Sequence, residues 1–200
     1  MPLTLTPADV HLWSDPLLRI AATQSPHSIP FGALRTYGPV AGQRWDPHPA
    51  GLPQVHSARW GVLYTASTLL TACAETGQSS RTIDRRSGAP VVTTWTPTRP
   101  LELLDLSADS TWLVRHGASA SLTSRPARHC QAWAHDIVAT LGEQIDGLLV
   151  PSTWTGTNVV LFARATQTFP AAPSTRMAMN DPGLYPVLSR IAARIGFAIV

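Results

Sequence analysis

The sequence predicts a single α+β domain, and three observations carry that prediction. Of its 200 residues 44% are hydrophobic and only 14% charged, the balance of a chain with a sizeable core rather than a disordered one. Segments with strand-like and helix-like patterning are intermixed, without the regular strand–helix–strand alternation of a doubly wound sheet. No internal repeat, low-complexity tract or linker interrupts the chain, so residues 1–200 read as one unit.

The elements follow in chain order. Thr6 as N-cap and Pro7 at the first helical position predict a short helix within residues 1–14. "PLLRIAA" (16–22) reads as a strand. Residues 23–60 are rich in Pro, Gly, His and Ser, and a loop of that length inside a compact domain points to function. "GVLYTA" (61–66) is the next strand, leading into a small-residue helix over 68–76 with Ser67 as N-cap and Gly77 as C-cap.

"APVVTTWTPT" (89–98) and "PLELLDLS" (100–107) have the alternating or continuous apolar character of strands, and "ADSTWLVRHG" (108–117) reads as a short helix. Cys130, Trp133, Ala134, Ile137, Val138 and Leu141 recur at helical spacing and predict a longer helix over 127–142. "DGLLVPS" (146–152) and "NVVLFAR" (158–164) are short buried strands joined by "TWTGT", and residues 183–200 form a terminal amphipathic helix with an apolar tail.

Composition excludes several chemistries. All 15 basic residues are arginine, so a P-loop lysine, a Schiff-base lysine and a Ser–Lys dyad are ruled out; genomic base composition is the simplest origin of the bias. Phosphate recognition must therefore use arginine forks, backbone N–H groups or hydroxyls. A net charge of +3 and a pI near 9.4 suit an anionic ligand, but the charge is too small and scattered to argue nucleic-acid binding. Cys73 and Cys130 lie far apart outside any CxxC pair, which argues against a disulfide framework or a zinc site. No apolar run approaches the roughly 18–20 residues of a membrane span, and "MPLTLTPADVHLW" lacks the pattern of a secretory signal, so the expectation is a soluble cytoplasmic protein. There is no GxSxG, HExxH or GxGxxG, and His129 and His135, six residues apart on different helix faces, read as surface or boundary histidines rather than metal ligands.

What remains is an ordered set of segments: "PLLRI", "GQRWDP", "VLYTASTLLTACAE", "RPLELLDLS", "HCQAWAHDI" and "DGLLVPSTWTGTNVVLF". Each is weak alone. Together, in this order over about residues 16–163, they resemble the RES-domain proteins. That resemblance implies an ADP-ribosyltransferase-like fold of split mixed β-sheets flanked by helices. It also implies a bacterial toxin that consumes NAD, by phosphorolysis or hydrolysis, with release of nicotinamide. The same resemblance implies a cognate antitoxin with an Xre-like region, and oligomerisation through it. NAD enters as substrate, inorganic phosphate as co-substrate, and no cofactor or metal is implied; neither direct nucleic-acid binding nor a membrane is expected.

The residues agree chemically with such a substrate. Cleaving the ribosyl C–N bond of NAD passes through an oxocarbenium-like cation, as in glycoside chemistry. A site for it needs a fork for the pyrophosphate, a surface for the nicotinamide and an anion near the ribose. Arg44 and Arg19 are candidates for the fork, Tyr64 for the ring or a hydroxyl contact, and Glu75 for the anion. Each has a plainer reading: Glu75 a solvated helix end, Tyr64 a core aromatic, Arg44 stacked on Trp45, and Arg19 paired or on an exposed face of its strand. Ser152 supplies a hydroxyl to substrate or ends a strand, and Asn158 contacts substrate or orients its own loop. Arg128 stands where relatives present a small hydroxyl residue, with Ser124 nearby as its substitute.

Three departures bear on reaction outcome more than on fold. The usual double glycine is Gly42–Gln43, the usual Asn after the aromatic is Asp46, and the stretch between Pro47 and Tyr64 is long. Transfer of ADP-ribose to a protein, and a catalytically degenerate basic binding module, are the competing functions.

Overall fold

The structure is a computed structural model and describes residues 2–107, 109–119, 122 and 125–200. In chain order its strands and helices are β1 (Val10–Trp13), β2 (Leu17–Ala22), β3 (Tyr37–Gly38), β4 (Gln54–Val55), β5 (Val62–Ala66), α1 (Leu69–Gly77), β6 (Thr82–Ile83), β7 (Pro90–Trp95) and β8 (Leu101–Asp105). There follow α2 (Trp112–Arg115), α3 (Ala127–Leu141), β9 (Gly147–Pro151), β10 (Thr157–Phe162), β11 (Thr175–Ala178), α4 (Tyr185–Ile195) and β12 (Ala198–Ile199).

Among the described residues, eight strands form one mixed sheet in the order β1-β8-β9-β10-β5-β2-β7-β11, and only the β8–β9 pair is parallel. β5 and β2 meet through one ladder pair, Leu18 with Ala66, whereas β5 and β10 share five. The sheet therefore splits between β5 and β2 into two halves.

Side-chain alternation along the strands gives the sheet two working faces. On one face, Val62, Leu148, Val150, Val160 and Phe162 pack under the apolar stripe of α3, formed by Cys130, Ala134, Ile137, Val138 and Leu141. α1 and α4 extend this cover over the other half, where Leu18, Ile20 and Val92 meet Cys73, Leu188 and Ala192. On the opposite face, Leu17, Leu63, Trp95, Leu149, Val159 and Leu161 form a separate cluster beneath loop residues Ile29, Phe31, Leu34 and Phe169. β9, at the sheet interior, reads as a continuous buried run for this reason. Truncating fully buried Phe162 to Ala would cost about 3–5 kcal/mol.

Burial of acids follows the same discipline. Asp146 is wholly buried, and both Arg99 Nη atoms (2.6 and 2.8 Å) and the Glu102 N–H (2.9 Å) satisfy its carboxylate.

The structure corrects several expectations. Thr6 and Pro7 do start a helical turn, but it is a three-residue 3-10 turn, Pro7–Asp9, after which the chain becomes β1 and pairs with β8. Asp9 ends the turn by binding back to the Thr6 N–H and hydroxyl (2.8 and 2.7 Å). Thr68, not Ser67, caps α1, its hydroxyl accepting from the Thr71 N–H at 3.1 Å. The terminal segment divides into α4 and β12, separated by Gly196 in the left-handed conformation (φ 68°), and β12 pairs with β6. The β3–β4 hairpin, β6 and β11 were not anticipated. No described helix is long and apolar enough to cross a membrane.

Candidate active site

The geometry centres on the last turn of α1. Glu75 Oε1 accepts hydrogen bonds from Ser152 Oγ at 2.6 Å and Asn158 Nδ2 at 2.7 Å. Among the described residues no donor reaches Oε2, so one carboxylate oxygen is held and the other stays available. Ser152 lies in the β9–β10 connection and Asn158 in β10 itself. Ser152 Oγ in turn accepts from the Trp154 and Thr155 N–H groups, each at 3.1 Å, and the Ser152 N–H donates to Gly156 O at 3.0 Å. Gly156 has φ +74°, and a Cβ there would lie 2.4 Å from Thr71 Oγ1 on α1. Glycine is thus required both for the turn and for its close approach to the helix that carries Glu75.

Tyr64 stands on the same face. Asn158 pairs with Ala66 and Val160 with Tyr64, so Asn158 and Tyr64 are diagonal neighbours on adjacent strands. The Tyr64 hydroxyl accepts from the Trp45 N–H at 2.9 Å, which leaves its own proton free to donate. Burial, reinforced by the charge of Asp46, pushes the phenol well above its ordinary pKa, so it is a neutral donor.

Arg44 adjoins that contact through Trp45. Its Nη1 donates to Arg125 O at 2.5 Å, just ahead of α3, and its guanidinium lies against the Cys130 thiol. Burial pushes that thiol up, and Arg44 partly offsets the shift. Gln131 on α3 fixes the loop, its Nε2 donating to Val40 O (3.0 Å) and Gln43 O (2.9 Å).

Asp46, a departure in sequence, is built into this frame. It is wholly buried, paired with Arg35 (3.0 Å), the Val40 N–H (2.8 Å) and the His48 ring. Burial alone would raise its carboxyl; the hydrogen bonds from His48 and Val40, with the charge of Arg35, outweigh it and hold the group below its usual range.

The structure thus brings Arg44, Tyr64, Glu75, Ser152 and Asn158 to one face. It does not bring Arg19 there. Leu18 partners Ala66, so Arg19 points with Leu17, Thr93 and Trp95 to the opposite face. Arg128 is exposed in the first turn of α3, and Ser124 lies outside the described residues. His135 is held by Pro47 O (3.1 Å) and stacks on Trp60 at 4.5 Å between centroids. No group of three or more His, Cys, Asp or Glu suited to a metal occurs among the described residues. Gln131 and Trp154 were missed: the partners of their side chains, Val40 O and Gln43 O for Gln131 and Gln78 Oε1 (3.4 Å) for the Trp154 indole, are distant in sequence.

A RES-domain family model matches residues 16–180, most of the chain. The chain belongs to the RES domain family. Among solved structures it is similar to the Mycobacterium tuberculosis MbcT–MbcA toxin–antitoxin complex, at 18% identity and TM-score 0.54, covering 90% of this chain and 92% of that one. No curated protein matches. The fold is α+β, with a split mixed sheet flanked by helices, and is shared with the MbcT–MbcA structure.

Proposed function

We propose that this protein is the NAD-consuming toxin of a toxin–antitoxin pair, releasing nicotinamide by phosphorolysis or hydrolysis and neutralised by a cognate antitoxin. Family membership and the likeness to a toxin–antitoxin complex support the toxin reading. The single observation that supports the chemistry is Glu75, held through Oε1 by Ser152 and Asn158, with no donor to Oε2 among the described residues.

In this reading the ribosyl C–N bond breaks, its electron pair leaves with the nicotinamide, and a water or phosphate oxygen bonds to the ribosyl carbon. Water gives up its proton; phosphate enters as an oxyanion. Glu75 Oε2 accepts from a ribose hydroxyl and stabilises the positive charge that grows on the ring. Because that charge exists only as the bond breaks, an anion already oriented by two donors lowers the barrier without reorganising. Tyr64 donates its proton toward the substrate, and Arg44 supplies fork donors for the pyrophosphate.

The test is nicotinamide release from NAD by the purified protein, with and without millimolar phosphate. Release that requires phosphate identifies a phosphorylase, and release without it a hydrolase. Label from NAD appearing on a protein band would instead identify an ADP-ribosyltransferase. No release in any of these assays would refute the enzymatic reading.

A further inference from the structure

For Ser152 to reach Glu75, two elements must keep their places: the end of α1 and the β9–β10 connection. A third element touches both. Phe197, buried just ahead of β12, packs under the last turn of α1, where a Cβ at Gly77 would lie 3.1 Å from its Cε2. Its ring also meets that of Trp154, edge to face at 5.6 Å between centroids. Trp154 is a residue whose N–H donates to Ser152 Oγ, and its indole N–H reaches Gln78 Oε1, just beyond α1, at 3.4 Å. Phe197 lies beyond the RES match, which ends at residue 180.

Arg81 closes this corner. Its guanidinium carbon lies 5.1 Å from the centroid of each ring, Trp154 and Phe197, and among the described residues it has no ion pair. The backbone serves the same end. Arg81 has φ +53°, a left-handed conformation that few non-glycine residues adopt, and its carbonyl accepts from the Ala198 N–H at 2.9 Å. Such a conformation persists only where the surroundings hold it. We propose that Arg81 is a positioning residue for the reaction: it pins Trp154, and through the Trp154 N–H it fixes the Ser152 hydroxyl that aims Glu75. The proposal rests on the NAD-consuming reading of the Glu75 site. Because Glu75 acts on charge that grows only as the bond breaks, a loosened aim lowers kcat and leaves KM. An arginine that held the anionic substrate itself would raise KM on removal.

Nicotinamide release and amide hydrogen exchange, measured on Arg81→Gln and Trp154→Leu, test it together. In each variant kcat should fall ~3- to 10-fold with KM within about 2-fold of the wild type, the scale of two exposed cation–π contacts. The double variant should lose little more than either alone. Arg190→Gln removes a charge from the exposed side of α4, where the side chain bonds only within its own helix, and should leave both constants unchanged. The Trp154 and Thr155 amides, which donate to Ser152 Oγ, should exchange at least ~3-fold faster in Arg81→Gln, while those of α3 are unaffected. A raised KM with kcat intact, additive losses in the double variant, or exchange that is unchanged or faster throughout the chain would each overturn the proposal. A wild type that releases no nicotinamide would refute the NAD-consuming reading, whereas unchanged exchange refutes the Arg81 brace whatever the activity.

Discussion

Ser152 donates its hydroxyl proton to Glu75 Oε1 at 2.6 Å across 77 residues of sequence, and Asn158 reaches the same oxygen at 2.7 Å. The carboxylate is aimed by a loop and a strand from a different part of the chain. Four predictions follow from this geometry and from the frame around it.

Glu75→Gln keeps the size of the side chain and removes its charge. Nicotinamide release should fall by ~10²–10³, the usual cost of removing one preorganised electrostatic group, while the circular dichroism spectrum is unchanged. Turnover within a factor of two of the wild type would remove Glu75 from the mechanism.

Ser152→Ala and Asn158→Ala each leave the carboxylate in place but loosen its aim. Each should reduce turnover less than Glu75→Gln does. In the Glu75→Gln background neither should add a comparable further loss, because the three residues act as one unit. Full additivity in this double-mutant cycle would show that the clamp is irrelevant to catalysis.

Gly156→Ala should destabilise the protein, because alanine at φ +74° is strained and its Cβ would meet Thr71 Oγ1 at 2.4 Å. Adding Thr71→Ala relieves the collision but not the backbone strain, so urea denaturation should show partial recovery of the midpoint. A single variant as stable as the wild type would contradict the close approach.

Asp46 makes stability sensitive to acid, and the sign is fixed by its depressed carboxyl. Its contribution is fully present above the unfolded carboxyl pKa of about 3.9 and is lost as pH falls through the lower folded value. Asp46→Asn removes the titrating carboxyl and should flatten the stability profile below about pH 4. It also leaves Arg35 without its carboxylate, so stability near neutrality should drop. Denaturant titrations at several pH values read both effects.

Much of the architecture was legible because burial imprints periodicity. The apolar positions of α3 recur at helical spacing, and β9 and β10 read as strands because they lie inside the sheet with few polar interruptions. Where burial is weak the signal fails. All four residues of β11 are exposed, so nothing in Thr175–Ala178 announced a strand. At the N-terminus the cap and proline signals were real but local, and pairing of Val10–Trp13 with Leu101–Leu104 overrode them.

The site was readable to a similar depth. Residue order placed Arg44, Tyr64, Glu75, Ser152 and Asn158 together, yet Arg19 fell on the other face. A strand's register decides which way a side chain points, and one position of shift reverses it. Asp46 read as a departure bearing on reaction outcome, and the structure shows it as a buried anion matched by Arg35 and His48, a pairing the sequence did not announce.

The position of β10 has a consequence for how the protein comes into being. This strand is translated late, yet it lies in the interior of the sheet between β9 and β5, and it carries Asn158. A nascent chain that has not yet released residues 157–162 has an unfilled gap beside β5, and its Glu75 has no clamp. We expect ribosome-bound chains stalled before residue 150 to be silent in the nicotinamide-release assay, and detectable release from them would disprove this. On the toxin reading proposed above, the chain would carry no complete Glu75 clamp until β10 has left the ribosome, a delay written into strand order rather than supplied by an inhibitor.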